Sequence, residues 1–443
     1  MSETIHVLGG GLAGLATAYF AQQHGRKAVV FEAAPEVGGN ARTLRFEDVR
    51  VDTGAHRLHD KDPQAIAAFR ALLGDAMRRV DAPSEIRYRG RGIAFPLRPV
   101  DAARKLGPAT LLRVAAEKVS GLWRKRPGPQ SFRDLALSRY GPTLAEAFLL
   151  GYSEKLWGVP PERLDPAVAG GRLRGLTLGT FLRELGSARS ATAHLDGAFY
   201  YPTHGFGMLA NALASAIGAE RIYTDTPITR VEHDGDRITA IHARGECVPS
   251  ASVVSTLPLP VLVRLLHPAA PEAVREAAGA LRYRHVRLVV LRLDTPSVSP
   301  HASLYVPEPD VPFTRLYEPK NRSPEMAPPG RTALVVEVPC SDGDGLWRAA
   351  DDAFVEAILP DVRRVVGPRL GRVLSTHSVR LPAAYPVLEI GHRSAVDTLL
   401  GYARGLGGLT LAGRAGTFRY LHTHDLFAEA AAWAAAPEDS GGG

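Results

Sequence analysis

The sequence is short of cysteine, aromatic residues and long apolar runs, and each shortage removes a class of protein. Two cysteines in 443 residues, Cys247 and Cys340, cannot build a disulfide framework, so a cytoplasmic location is expected. Each reads as a lone thiol on or under a strand. No stretch approaches the roughly 18 uninterrupted apolar residues of a membrane helix. No secretory segment is expected either, because Thr4-Ile5-His6-Val7-Leu8-Gly9 runs directly into a strand and a glycine turn. Internal repeats are lacking, and the one low-complexity stretch is the tail at 437–443, expected to be a flexible end. Charge of one sign is also scarce: the formal excess of +7 suits an anionic small molecule and does not imply nucleic acid. What remains is a globular composition, 45% hydrophobic and 22% charged, in a chain long enough for two or three domain-sized cores.

The N-terminus carries the clearest pattern. Ile5-His6-Val7-Leu8 reads as a short buried strand, followed by Gly9-Gly10-Gly11-Leu12-Ala13-Gly14. Helical apolar spacing then runs from Leu12 to His24, with Gly25 as its stop, and Ala28-Val29-Val30-Phe31 is a second strand ending on Glu32. Gly9 permits a tight turn, Gly11 lets the backbone approach a pyrophosphate, and Gly14 lets helix and strand pack closely. The pyrophosphate would sit on free N–H groups at the helix N-terminus, and Glu32, 18 positions after Gly14, can accept from ribose hydroxyls. Strand, glycines, helix, strand and acid occur in order, which identifies a dinucleotide-binding βαβ unit.

The segment after the second strand moves the expected cofactor from NAD to FAD. Ala33-Ala34-Pro35-Glu36-Val37-Gly38-Gly39-Asn40-Ala41-Arg42-Thr43 resembles the second nucleotide-contact segment of the FAD family that includes amine oxidases, protoporphyrinogen oxidases and UDP-galactopyranose mutases. Small residues let the chain pass the cofactor, and Arg42 can reach a phosphate; a surface turn with a solvated arginine is the alternative. Strands expected at 226–232, 237–241 and 252–258 resemble those that return to the nucleotide domain, with Val231 at the position that meets the adenine. Leu409-Thr410-Leu411-Ala412-Gly413-Arg414 and the helix formers from Ala428 to Ala436 resemble the family's C-terminal flavin contact.

Within this family the motifs are most similar to those of UDP-galactopyranose mutases. Tyr152-Ser153-Glu154-Lys155-Leu156-Trp157-Gly158 resembles their Tyr-x-Glu-Lys-x-Trp-Gly segment, with Arg172 and Arg174 near a phosphate-binding arginine. Thr314-Arg315 through Lys320, Tyr385-Pro386, and Gly413 through Tyr420 match further segments. Gly54-Ala55-His56-Arg57-Leu58-His59 parallels the loop at the flavin face, although the Phe-His-Thr ending is replaced.

The resemblance implies a two-domain α/β fold, a Rossmann-like, discontinuous FAD-binding domain with an inserted mixed α+β substrate domain. The implied FAD part comprises 1–75, 195–260 and 395–436, and the substrate part 76–194 and 261–394. Implied cofactor contacts are Gly9, Gly11, Leu12, Ala13, Gly14, Glu32, Gly38, Gly39, Asn40, Arg42, His56, Val231, Gly413, Arg414 and Tyr420. For the substrate, Arg172 and Arg315 would grip a diphosphate, Tyr385 would donate to it, and Tyr152 or Trp157 would stack on a base, with His56 against the flavin. In the mutases, N5 of the reduced flavin attacks the anomeric carbon and expels the nucleoside diphosphate. The implied activity is thus mutase-like or oxidoreductase chemistry on a nucleotide sugar or similar anion, with N5 as the reactive atom. An oxygen-dependent amine or porphyrinogen oxidase is the alternative.

Plainer readings of the same residues stay open: Tyr152 and Trp157 as core aromatics, Arg172 and Arg315 as ion-pair partners. The histidine pairs His56/His59 and His422/His424 lie beside the expected flavin, and no metal site is expected there. The basic helix expected from Arg113 to Lys125 reads as a solvated face or as a peripheral membrane contact. Oligomeric state is not legible.

Overall fold

The computed structural model describes residues 3–59, 62–95, 99–119, 128–169 and 199–436. Its first unit is local in origin. Strand β1 (Ile5–Leu8) is buried on both faces, as an all-apolar run in a parallel sheet should be. It leads through the glycine turn into helix α1 (Leu12–Gln23), and β2 (Ala28–Phe31) returns parallel to β1 with Ile5 opposite Ala28 and Leu8 opposite Phe31.

Three further strands complete a five-stranded parallel sheet, in the order Leu409–Leu411, Val253–Ser255, β1, β2, Ile222–Tyr223. Its members come from both ends and the middle of the chain, which gives the expected discontinuous Rossmann-like architecture. On one side α1 packs against helices Gly207–Ile217 and Thr423–Ala435 around a core that includes Leu15, Phe69, Leu213 and Phe427.

The large sheet has seven strands. Its centre is the pair Tyr283–Asp294 and Thr332–Cys340, antiparallel with His285 opposite Cys340, and Arg372–Pro386 flanks it. On the other edge lie Arg315–Tyr317, Ser303–Tyr305, Ser84–Tyr88 and Arg91–Phe95. The hairpin Thr43–Phe46/Val49–Asp52 carries Val49 and Val51 into a core shared with Leu288, Val290, Tyr317 and Val335 of the large sheet. A smaller four-stranded sheet holds Glu246–Pro249, Ile238–Ala243, Ile228–His233 and Leu266–His267.

Two expected elements shift. The last helix begins at Thr423 rather than Ala428, because the Asp425 carboxylate accepts from the His422 N–H at 2.7 Å and starts the helix early. The basic helix begins at Pro108 rather than Arg113 and is described to Val119, with Val114 buried and Leu112 72% exposed; the rest of the expected span lies outside the described residues. Arg172, Arg174 and the tail at 437–443 lie outside the described residues. Among the described residues, no helix is long and apolar enough to cross a membrane.

Candidate functional site

The carboxyl ends of four parallel strands converge, and each is followed by a residue singled out in the sequence or packed against one. Gly9 follows β1, Glu32 follows β2, Thr256 follows Val253–Ser255, and Gly413 follows Leu409–Leu411 closely. Ligands of open parallel sheets bind at this edge. The Gly9 N–H donates to the Phe31 carbonyl at 2.8 Å, which closes the turn. A Cβ on Gly14 would lie 2.0 Å from the Gly9 carbonyl oxygen, so helix and turn can meet this closely only at glycine.

The second glycine pair crosses the first turn. Gly38 bridges to Gly11, its N–H donating to the Gly10 carbonyl at 2.8 Å, and a Cβ on Gly39 would sit 3.2 Å from the Gly11 Cα. A Cβ on Gly11 itself would meet only the Gly39 Cα, at 4.0 Å, so this side of the turn is bare backbone. Leu12 is buried and opens α1, followed by Ala13, where the first helical N–H groups lie. The Glu32 carboxylate is oriented by the N–H groups of Gly10 (2.7 Å) and Ala34 (2.8 Å). Arg42 carries a buried Nε without a hydrogen-bond partner, and its side chain lines a cleft of about 760 Å³ with Arg45, Arg50 and His204. A buried guanidinium nitrogen left in that condition suits an anionic group. Val231 is fully buried in mid-strand, between Ile241 and Leu266.

His56 occupies the loop after the hairpin. Its Nε2 lies 3.0 Å from the Asn40 carbonyl, and its ring stacks on Phe206 at 4.7 Å. Burial first, then the positive groups Arg414, Arg315 and Arg322, push its pKa down to about 3, so the imidazole is neutral. With Nε2–H donating to the carbonyl, Nδ1 holds the lone pair. The loop itself is tied to the large sheet: the Gly54 N–H donates to Tyr317 Oη at 3.1 Å and the Ala55 N–H to Glu337 Oε1 at 3.1 Å.

Arg315 is on the same wall. Its Nε and Nη2 grip Glu337 at 2.8 Å each, which is the ion-pair alternative left open by the sequence. Burial opposes its charge, but Glu337 keeps the guanidinium protonated. The Nη1 amine is the part not engaged by Glu337. Tyr385 stacks on Tyr420 at 6.0 Å, and the Arg414 guanidinium lies over both rings, 5.0 Å from Tyr420 and 5.6 Å from Tyr385. Arg414 is held by the carbonyls of Leu421 and Ala384. Burial raises the Tyr385 pKa, with Glu337 and Tyr420 adding to the effect.

The Tyr152–Trp157 segment forms the short helix Gly151–Trp157 behind this wall. Trp157 is 4% exposed, its ring set edge-on to Tyr385 and Tyr420, so it packs as a core aromatic and offers a base no free face. Tyr152 is half-buried and meets Tyr305 edge-on. The helix is locked at both sides: Lys155 donates to the carbonyls of Val306, Glu308 and Val311 at 2.7–3.0 Å, and Arg284 donates to those of Lys155 and Leu156. Arg172 lies outside the described residues. His59, His422 and His424 gather beside one another with ring centroids 5.6–6.4 Å apart.

Sequence reasoning missed a buried polar group beneath the loop. Asp52 accepts from Thr43 Oγ1 (2.6 Å), the Phe206 N–H (2.9 Å) and Tyr201 Oη, while its carbonyl accepts from Tyr317 Oη at 2.7 Å. Arg322 lies over Tyr317, with its Nε and Nη1 buried and unpartnered. Glu337 was missed too. A signal existed for it: a lone acid within Leu334-Val335-Val336-Glu337-Val338, a fully buried strand, demands a partner.

Comparison with known proteins agrees with this geometry. The pattern of the flavin containing amine oxidoreductase family matches residues 12–425. The chain is 27% identical to a phytoene dehydrogenase of Streptomyces griseus, covering 86% of this chain and 82% of that protein. It is 24% identical to protoporphyrinogen oxidase 1 of Arabidopsis thaliana chloroplasts, covering 88% and 80%. The crystal structure of a reduced UDP-galactopyranose mutase superposes with a TM-score of 0.86 at 20% identity, covering 98% of this chain and 93% of that one. The glycine cradle and the unpartnered Arg42 nitrogen fit the cofactor of such proteins. The chain is an FAD-dependent enzyme and belongs to the flavin containing amine oxidoreductase family.

Proposed function

We propose that this flavoenzyme acts on an anionic substrate, a nucleoside diphosphate sugar or a molecule of similar charge. The observation that carries the proposal is the surroundings of His56, whose pKa Arg414, Arg315 and Arg322 all help to lower. Three guanidinium groups stand against the carboxylates of Glu337 and Asp52, the latter pushed towards its neutral form by burial, and the positive excess attracts negative charge. The fold likeness to UDP-galactopyranose mutase supports the same reading.

Bound FAD supplies a hydride acceptor when oxidised and an electron-rich nitrogen, N5, when reduced. The chain supplies binding and orientation. The N–H groups of Leu12 and Ala13 at the start of α1, with Gly9, Gly11 and Gly14, would hold the pyrophosphate, and Glu32 the ribose. Gly38, Gly39, Asn40 and Arg42 would complete the phosphate contacts, with Val231 at the adenine. His56, Gly413, Arg414 and Tyr420 would border the ring. On the substrate side, Arg315 would reach an anion through Nη1, Tyr385 would donate its hydroxyl, and Tyr152 would offer a ring face. Arg172 is assigned the diphosphate with Arg315.

The test is a titration of the holoenzyme with UDP, read in the visible spectrum of the flavin. A saturable change that is lost in Arg315→Ala supports the reading, and no response to any nucleoside diphosphate sinks it. A second reading, an oxygen-dependent amine or porphyrinogen oxidase, draws on the match to a plant protoporphyrinogen oxidase and on the engagement of Arg315 by Glu337. It requires hydrogen peroxide to form with such a substrate.

A further inference from the structure

The four-stranded sheet carries a group of donor atoms that the flavin chemistry does not use. Strands Ile228–His233, Ile238–Ala243 and Glu246–Pro249 lie side by side, and His242 stands opposite Cys247. The turn between these two strands has Arg244 and Gly245 at φ +54° and +78°, the tight two-residue geometry that sets hairpin register. Glu232 lies on the adjoining strand with its Oε1 2.8 Å from His242 Nε2. The carboxylate oxygen, imidazole nitrogen and Cys247 sulfur all lie within 4.8 Å of one another.

Glu232 and His242 are half-buried and Cys247 is exposed, whereas Val231, next to Glu232, is fully buried. Alternation along the strand therefore turns this group away from the face that Val231 occupies. One thiolate, one imidazole and one carboxylate form a mixed S, N, O donor set suited to a borderline-soft divalent cation. Among the described residues, no other group of three such side chains comes this close.

We propose that Glu232, His242 and Cys247 form a three-ligand site for a divalent cation of the zinc class, separate from the cofactor cradle. A tetrahedral shell with bonds of about 2.0–2.3 Å separates its ligands by roughly 3.5 Å, so small side-chain rotations bring the three donors into range. The ion replaces the proton between His242 Nε2 and Glu232; in the neutral imidazole that proton passes to Nδ1 by way of solvent, and the Cys247 thiol proton is released to solvent. A water molecule takes the fourth position. Arg230, with Nη1 3.6 Å from Glu232 Oε1, competes for the carboxylate, and at 49% exposure it can swing into solvent.

The two cysteines make the test selective. Cys340 is fully buried and burial raises its pKa to about 11, so an aromatic disulfide reagent applied to the folded holoenzyme reads Cys247. Zinc is expected to slow that reaction about tenfold or more, and a chelator to restore it. Glu232→Gln and His242→Gln, checked for an unchanged flavin spectrum, are expected to react at the fast rate with zinc present. An unaltered rate in the wild type, or equal protection in both variants, overturns the proposal. A variant that fails to fold leaves the wild-type titration with and without chelator as the deciding measurement.

Discussion

The guanidinium of Arg315 and the carboxylate of Glu337 form a two-point pair, and the same Glu337 Oε1 accepts the N–H of Ala55. One buried acid thus joins the arginine on the large sheet to the loop that presents His56. The pair is well shielded, with side chains 16% and 7% exposed, so on the proposed function its geometry sets both anion affinity and loop position.

Glu337→Gln keeps an acceptor for Ala55 but leaves Arg315 without its counter-charge. The expected cost is about 2–3 kcal/mol of stability, measured by urea unfolding. Freed from its partner, Arg315 is expected to bind UDP about tenfold more tightly in the flavin titration, equivalent to about 1.4 kcal/mol. Weaker UDP binding in this variant would count against Arg315 as an anion contact.

Gly14→Ala places a methyl group 2.0 Å from the Gly9 carbonyl oxygen, and the turn that cradles the dinucleotide must move. The expected result is protein purified with little flavin, measured as visible absorbance per chain. Gly25→Ala is the comparison: its Cβ meets nothing within 4 Å, and only its φ of +72° makes the change unfavourable, by about 1 kcal/mol. Equal flavin content in the two variants would remove close approach as the reason for Gly14.

The depressed pKa of His56 has a defined pH signature. The unfolded chain takes up this proton near the ordinary histidine value of 6.5, whereas the folded chain resists it until about 3. Stability therefore falls as pH drops from about 6.5 towards 3, and the contribution is constant above that window. His56→Gln is expected to flatten the wild-type pH dependence of the urea midpoint between pH 6.5 and 4. Parallel curves for the two proteins would show that His56 is protonated freely in the fold.

Tyr201→Phe removes a donor to the fully buried Asp52, and an expected loss of about 1–3 kcal/mol follows. Tyr317→Phe removes both the donor to the Asp52 carbonyl and the acceptor for the Gly54 N–H. Only the second variant is expected to change the flavin spectrum as well as the urea midpoint, because only it loosens the His56 loop. A spectrum altered equally by both would place the effect in the shared core instead.

Local patterns were readable from the sequence alone. The βαβ unit needs only a buried strand, three glycines, helical spacing and an acid within the first 32 residues, and each of those preferences acts over a few residues. Cys340 on its buried strand and the start of α1 at Leu12 follow from the same short-range rules. The last helix starts five residues before the run of strong helix formers that begins at Ala428, since His422 and Asp425 act as a cap only once the backbone brings them together. Cys247 reads as a lone thiol in the sequence, because its place opposite His242, five positions away, is set only by the hairpin.

The amino-acid order by itself determined that this chain binds a dinucleotide and where that unit begins, because strand, turn and helix propensities are properties of neighbouring residues. Tertiary structure alone decided what faces the cofactor edge. Arg315 meets Glu337 across 22 positions and Glu337 meets Ala55 across 282, and Trp157 turns inward to Tyr385 and Tyr420. A buried charge must find its partner wherever the fold supplies one, and that choice is made by packing rather than by spacing along the chain.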